Sequence, residues 1–193
     1  MSKDNNPSAQ KQTNNAELKQ YLRFGAMIAT SMLVMYGVTY INTYQISHIE
    51  VSETRLYMTL LMGSTMAIVM LSFMLGTYKN KRVNFGIVVG SIVVFMLGTF
   101  LVRSQVAVED TAYMKAMVPH HSIAILTSEN ANIQDKRVCE LATEIIEAQR
   151  REINQMQWLI NDISANGYAT THEEAARRSA PSFEGFAYRN CSE

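Results

Sequence analysis

Apolar residues are distributed along this chain in two different ways. Phe24–Ile41, Tyr57–Gly76 and Phe85–Val102 each run 18 to 20 residues without a single Asp, Glu, Lys or Arg. At about 1.5 Å of rise per residue, each run covers the roughly 30 Å hydrocarbon core of a bilayer as a helix. From Arg103 onward the pattern changes to polar sequence in which apolar positions recur at helical spacing. One such stretch, Asp110–Ile125, is interrupted by Pro119, which lacks the N–H an unbroken helix would use. Either the helix kinks there, or Pro119 opens a new helix at its first position. A second helix is predicted from about Lys136 to Asn161, closed by Asn166–Gly167, with an apolar stripe of Val138, Ala142, Ile145, Ile146, Ile153, Met156 and Ile160. Gln149 lies inside that stripe and Glu152 at its edge, so both are expected to meet a polar partner across the hairpin.

These elements predict an all-α protein of four parts. Residues 1–22 form a polar leader expected to be disordered, 23–103 a three-helix transmembrane region, 104–165 an extracytoplasmic helical domain, and 166–193 a tail with a short helix. The leader is too long and polar for a cleavable signal peptide, and no small-residue cleavage site follows the first apolar run. Small residues Gly63, Ser64, Gly86, Gly90, Ser91 and Gly98 favour close packing of the spans on each other or on another copy, and Gly86 with Gly90 makes a GxxxG.

Charge orients the spans. Lys19 and Arg23 precede the first, and Lys79, Lys81 and Arg82 crowd the eight-residue loop Thr77–Asn84, which places both segments in the cytoplasm. The loop Asn42–Arg55 has Glu50 and Glu53 against Arg55 and falls outside, as does everything after the third span. The expected location is the plasma (inner) membrane, multi-pass, with the N-terminus inside and the C-terminus outside. Residues 103–193 hold 13 Asp/Glu against 9 Lys/Arg. Such an acidic half lacks the basic face that nucleic-acid binding requires.

Candidate chemistry is soft. If the first outer helix is only kinked, Met114, Met117, His120 and His121 share about 120° of arc at roughly 100° per residue; with a new helix at Pro119 they still gather near its start. In the second span Met58, Met62, Met66, Met70 and Met74 recur every fourth residue. Such a stripe is ordinary packing unless its thioethers hold Cu(I). His48 and His172 read as solvated surface residues. Thr171-His172-Glu173-Glu174 fits a capping box opening a short helix that stops before Pro181. Cys139 and Cys191 show no CxxC spacing, and either one bridge or simple packing accommodates them. The last residues, from Pro181 on, carry no readable signal.

The strings D-x-x-Y-M-x-x-M-V-P-H-H-S-x-A-I and L-A-x-x-I-I-x-x-Q-x-x-E-I-x-x-M-x-W-L, spanning Asp110 to Leu159, resemble the bacterial domain-of-unknown-function 305 family. That resemblance implies a ferritin-like helical bundle in exported or membrane-tethered proteins, several of them associated with copper in the periplasm. The family's Met and His positions fall on Met114, Met117, His120, His121 and Met156, and Leu126 stands where many relatives have another methionine. Because the motif occurs once, a complete four-helix core implies a second copy, hence a homo-oligomer. Imidazole with thioether suits copper, Cu(I) above all, better than zinc. The expectation is therefore a copper sequestration or delivery protein, not an enzyme, with those five residues as metal ligands and Gln149 and Glu152 orienting them. The alternatives are a copper-transport subunit that uses the methionine stripe, and a structural membrane protein without metal. A ferritin-like oxidase would carry Glu-x-x-His pairs, and no such spacing occurs between Arg103 and Glu193.

Overall fold

A computed structural model describes residues 7–191, with side chains described from residue 15. Among the described residues every regular element is helical: α1 (Pro7–Val38), α2 (Glu53–Phe73), α3 (Lys81–Ser104), α4 (Asp110–Asn130), α5 (Lys136–Asn166) and α6 (His172–Arg177), with a 3-10 turn at Ile46–His48. The chain divides into two compact units, one of residues 1–38 and 55–106, the other of residues 39–54 and 107–193.

In the first unit, Asn15–Val38, Glu53–Phe73 and Lys81–Ser104 are long and apolar enough to cross a membrane. Their own packing is modest. Phe24, Ala67, Leu71 and Tyr78 form a buried cluster on which Ile28, Met70, Met74, Ile87 and Val88 pack. Tyr21 adds a polar tie, its hydroxyl donating to Asn84 Oδ1 at 2.8 Å. Gly63 lets α2 approach α1 so closely that a Cβ there would overlap the Met32 thioether, whereas a Cβ at Gly98 would stand 3.1 Å from the Leu61 side chain, a tight contact without overlap. Gly86 and Gly90 have nothing within contact distance. Among the described residues the GxxxG is therefore not a point of close helix approach.

The leader was expected to be disordered over residues 1–22; residues 1–6 lie outside the described residues, and from Pro7 the chain is already helical. The segment is rich in Ala, Gln, Lys, Leu and Glu, which lose little on entering a helix, and it extends a helix whose nucleation the apolar run has already achieved.

The second unit is an antiparallel pair, α4 and α5, joined by a short turn. Its core is Val118, Ile125, Ile146 and Ile153, with Met156, Tyr44 and Ala187 packed against it. Pro119 is buried inside an unbroken α4, which settles the two readings of that helix in favour of a single one. Asp135 caps α5 by accepting from the Arg137 N–H, and Gly167, at φ 75°, ends it. Val138, expected in the stripe of α5, is exposed.

Two peripheral segments belong to this unit. The loop of residues 39–54 groups with α4 and α5 and not with the long apolar helices it connects. The tail is tied down along its length. Cys139 and Cys191 form a disulfide, Arg178 pairs with Asp162, and the Arg189 guanidinium donates to the Ser128, Glu129 and Ala131 carbonyls. Arg189 thereby supplies donors to carbonyls at the end of α4 that have no intrahelical partner.

Candidate functional site

The continuity of α4 fixes the relation among its soft donors. Taking Met114 as origin, His121 lies about 20° away, Met117 about 60° and His120 about 120°. Burial follows that order. Met114 is buried, Met117 and His121 are half-buried, and His120 is exposed. The two imidazoles stand 6.0 Å apart between ring centres.

From the facing helix, Met156 packs on the hairpin core and lines a cleft with Met114. This cleft, about 910 Å³, also takes Tyr113, Leu159 and Tyr168 into its walls. One turn from Met156 on α5, Glu152 Oε2 comes 3.0 Å from His121 Nδ1. The approach is off the line of a hydrogen bond, and Nδ1 is buried with no acceptor aligned to it. Glu152 therefore meets a polar group across the hairpin, as anticipated for it; Gln149 is half-buried on the same helix.

Burial lowers the His121 pKa, the Glu152 carboxylate opposes that shift, and His120 adds to it; the balance lies below the ordinary value. A neutral imidazole, the form that binds metal, is thus favoured at neutral pH. Among the described residues no group of three or more His, Cys, Asp or Glu side chains is placed to hold a metal ion.

The other half of the hairpin carries a polar centre that sequence reasoning missed. Arg150 is 9% exposed. Its Nη2 lies 3.2 Å from Glu129 Oε1 and donates to the Tyr44 hydroxyl at 3.1 Å. Its guanidinium carbon sits 4.9, 4.3 and 5.2 Å from the ring centres of Tyr44, Phe186 and Tyr188. One buried cation thus joins the 39–54 loop, both helices and the tail, through a charge pair and cation–π contacts. The available signal was positional: Arg150 falls four residues after Ile146 and three before Ile153, inside the apolar stripe of α5.

His48, expected at the surface, is buried instead. Its Nδ1 is 2.9 Å from the Ser122 hydroxyl, which also accepts the Tyr44 N–H at 2.7 Å. Docking of the 39–54 loop on α4 buries the ring, and burial and Arg150 lower its pKa. His172 is exposed, and Thr171 with Glu174 forms the expected capping box.

Residues 101–187 match the family model described as Domain of unknown function (DUF305). Over 147 residues the chain is 28% identical to an uncharacterized protein of Acanthamoeba polyphaga mimivirus, an alignment covering 71% of this chain and 93% of that one. Such coverage exceeds everything from residue 101 to the C-terminus, so the likeness reaches into the apolar half. No solved structure matches.

Proposed function

From a chain whose residues 101–187 form a DUF305 domain, we propose a membrane-tethered copper-binding protein that sequesters or delivers Cu(I) on the outer side of the plasma membrane. The observation that carries this reading is the sharing of one cleft wall by Met114 of α4 and Met156 of α5, with Met117 and His121 on the same face of α4. Met117 and His121 are one turn apart, the separation at which two side chains of one helix reach a common ion. Met114 and Met156 would supply thioethers beside them, and His120, exposed on α4, would hand an ion in or out. Glu152, 3.0 Å from His121 Nδ1, is the carboxylate that would orient the ring once an ion is bound, with Gln149 on the same face of α5. Binding and release, with no bond-making chemistry, account for these groups.

Placement outside the cytoplasm rests on three supports. The Cys139–Cys191 disulfide belongs in an oxidising compartment. The outer loop packs with α4 and α5 in one unit, which keeps both on one side of a bilayer. Finally, the cations of residues 77–84 favour the opposite side for that loop. A second copy of the chain is the partner that would complete a four-helix core.

Cu(I) titration of the detergent-purified full chain against a chromophoric competitor tests the proposal. The His120→Ala/His121→Ala and Met114→Leu/Met156→Leu double variants are expected to lose at least about tenfold in affinity, about 1.4 kcal/mol. Unchanged affinity in both sinks it.

A second reading is favoured by a groove of about 570 Å³ lined by Met35 of α1 and Met62, Met66 and Met70 of α2. Thioethers from two spans would then pass Cu(I) across the bilayer, and copper uptake into sealed vesicles separates transport from sequestration.

A further inference from the structure

The α4–α5 hairpin has two long sides, and the chain closes only one of them. With Ile146, buried at the centre of α5, as origin, Arg150, Thr143 and Glu147 lie about 40° to 100° round the helix to one side. The tail and the 39–54 loop cover that side. Cys191 is bonded to Cys139 and lies 3.4 Å from the Thr143 hydroxyl. Gly185 runs so close to the Glu147 carbonyl that a Cβ there would overlap it, and Arg150 is enclosed by Tyr44, Phe186 and Tyr188.

About 80° to 160° to the other side stand Val138, Ile145, Leu141 and Ala148. Val138 and Leu141 are 48% and 55% exposed, and Ile145 and Ala148 are half-buried. Their steps of three, four and three residues set Val138 with Ile145, and Leu141 with Ala148, one heptad apart. These are the a and d positions of a coiled-coil seam, separate from the stripe that α5 buries against α4. Such a seam is shaped to receive another helix. Glu152, the next a position, reaches His121 across the hairpin, so the seam lies on the side where α4 carries Met117 and His120. Along its edge away from α4 stand Glu144 and Arg151, both exposed and also one heptad apart.

We propose that this seam is the docking surface for a second copy of the chain, with the two α5 helices antiparallel. In that arrangement the same edge of each helix meets its counterpart. With Ile145 opposite Ala148 of the second copy, Glu144 comes beside Arg151 of the second copy, and the two-fold axis repeats the pair. A parallel pairing would instead set Glu144 against the opposite edge, where Ala142 and Gln149 carry no charge. The charge pattern is therefore self-complementary in one orientation. This deepens the second-copy reading given above by assigning it a surface, and it does not depend on copper. Docking would also bring Met117 and His120 of both copies to one interface.

Sedimentation velocity of the metal-free, detergent-purified full chain reads the association. A dimer is expected. Glu144→Arg and Arg151→Glu are each expected to weaken it at least about tenfold, with the double reversal Glu144→Arg/Arg151→Glu restoring it. Leu141→Arg is expected to weaken it by about tenfold or more. All three side chains are exposed, so an unfolding temperature unchanged at concentrations where the chain is monomeric separates lost docking from lost fold. With both native cysteines bonded to each other, Ala148→Cys adds a single thiol, which a short bis-maleimide is expected to join between copies. Asn154→Cys, on the side that the tail and loop cover, should not be joined. The proposal is overturned by a chain that stays monomeric, by a dimer that Leu141→Arg leaves intact, which would assign association to another surface, or by a double reversal no better than the single ones. Because no metal is present and no altered residue is a proposed copper ligand, this outcome is separate from that of the Cu(I) titration.

Discussion

The two units of this chain are held together differently. In the three long apolar helices, at most 28% of each apolar window is buried by protein, so most of the large apolar surface is left uncovered by the chain itself. The outer unit has a closed core, a buried charge pair, a disulfide and a tail fixed by Arg178 and Arg189. Elements of the first kind are selected by the solvent around them, and uninterrupted apolar length suffices to specify them. Elements of the second kind are selected by particular side chains meeting across long sequence distances.

That contrast is tested most severely at Arg150. Replacing it with Met leaves the largely buried Glu129 carboxylate without its counter-charge and removes the cation from the aromatic enclosure, an expected loss of about 3–5 kcal/mol. Thermal unfolding of the outer unit, followed by limited proteolysis of the full chain in detergent, should show early cleavage there while α2 and α3 stay protected. Equal stability would place Arg150 outside the load-carrying core.

The disulfide comes next. Cys139→Ser/Cys191→Ser removes a link between residues 52 apart, at an expected cost of about 2–4 kcal/mol. Denaturant unfolding with and without a thiol reductant checks it, since reductant should lower the stability of the native chain and leave the variant unchanged.

Acid should weaken the outer unit and spare the spans. His48 and His121 both have pKa values lowered by burial. In the pH interval between those values and the ordinary histidine value of about 6.5, the unfolded chain binds more protons than the folded one, so stability rises with pH. The contribution is complete above about pH 6.5 and is lost as pH falls through the folded values. Unfolding midpoints of the metal-free protein should therefore fall between neutral pH and pH 5, with a smaller fall in His48→Gln. A flat profile contradicts the burial of these rings.

The smallest effect belongs to α6. Thr171→Ala removes the capping box at about 1 kcal/mol. Faster amide hydrogen exchange confined to residues 172–177 is expected, with α4 and α5 unchanged.

The same contrast explains what could be read from the sequence. Three helices long and apolar enough to cross a membrane, the α4–α5 hairpin and the capping box at Thr171 follow from local patterns, and the structure has them. The soft donors of α4 were legible because four of them crowd one helical arc. Arg150, His48 and the tail were not. A single cation in an amphipathic stripe reads as an edge residue until Glu129, Tyr44 and Phe186 are known to surround it, and those partners lie 21 to 106 residues away. The burial of His48 likewise depends on a loop folding onto α4, and no period in its own sequence encodes that. Pro119 was ambiguous for a related reason, because packing against α5 retains a helix that local backbone preference would interrupt.

X-ray absorption of the Cu(I)-loaded full chain tests the central proposal most directly. Thioether sulfur together with imidazole nitrogen around copper is the predicted first shell, with the sulfur signal reduced in Met114→Leu/Met156→Leu and the nitrogen signal reduced in His120→Ala/His121→Ala. A shell of oxygen and nitrogen alone, unchanged in both variants, would contradict it.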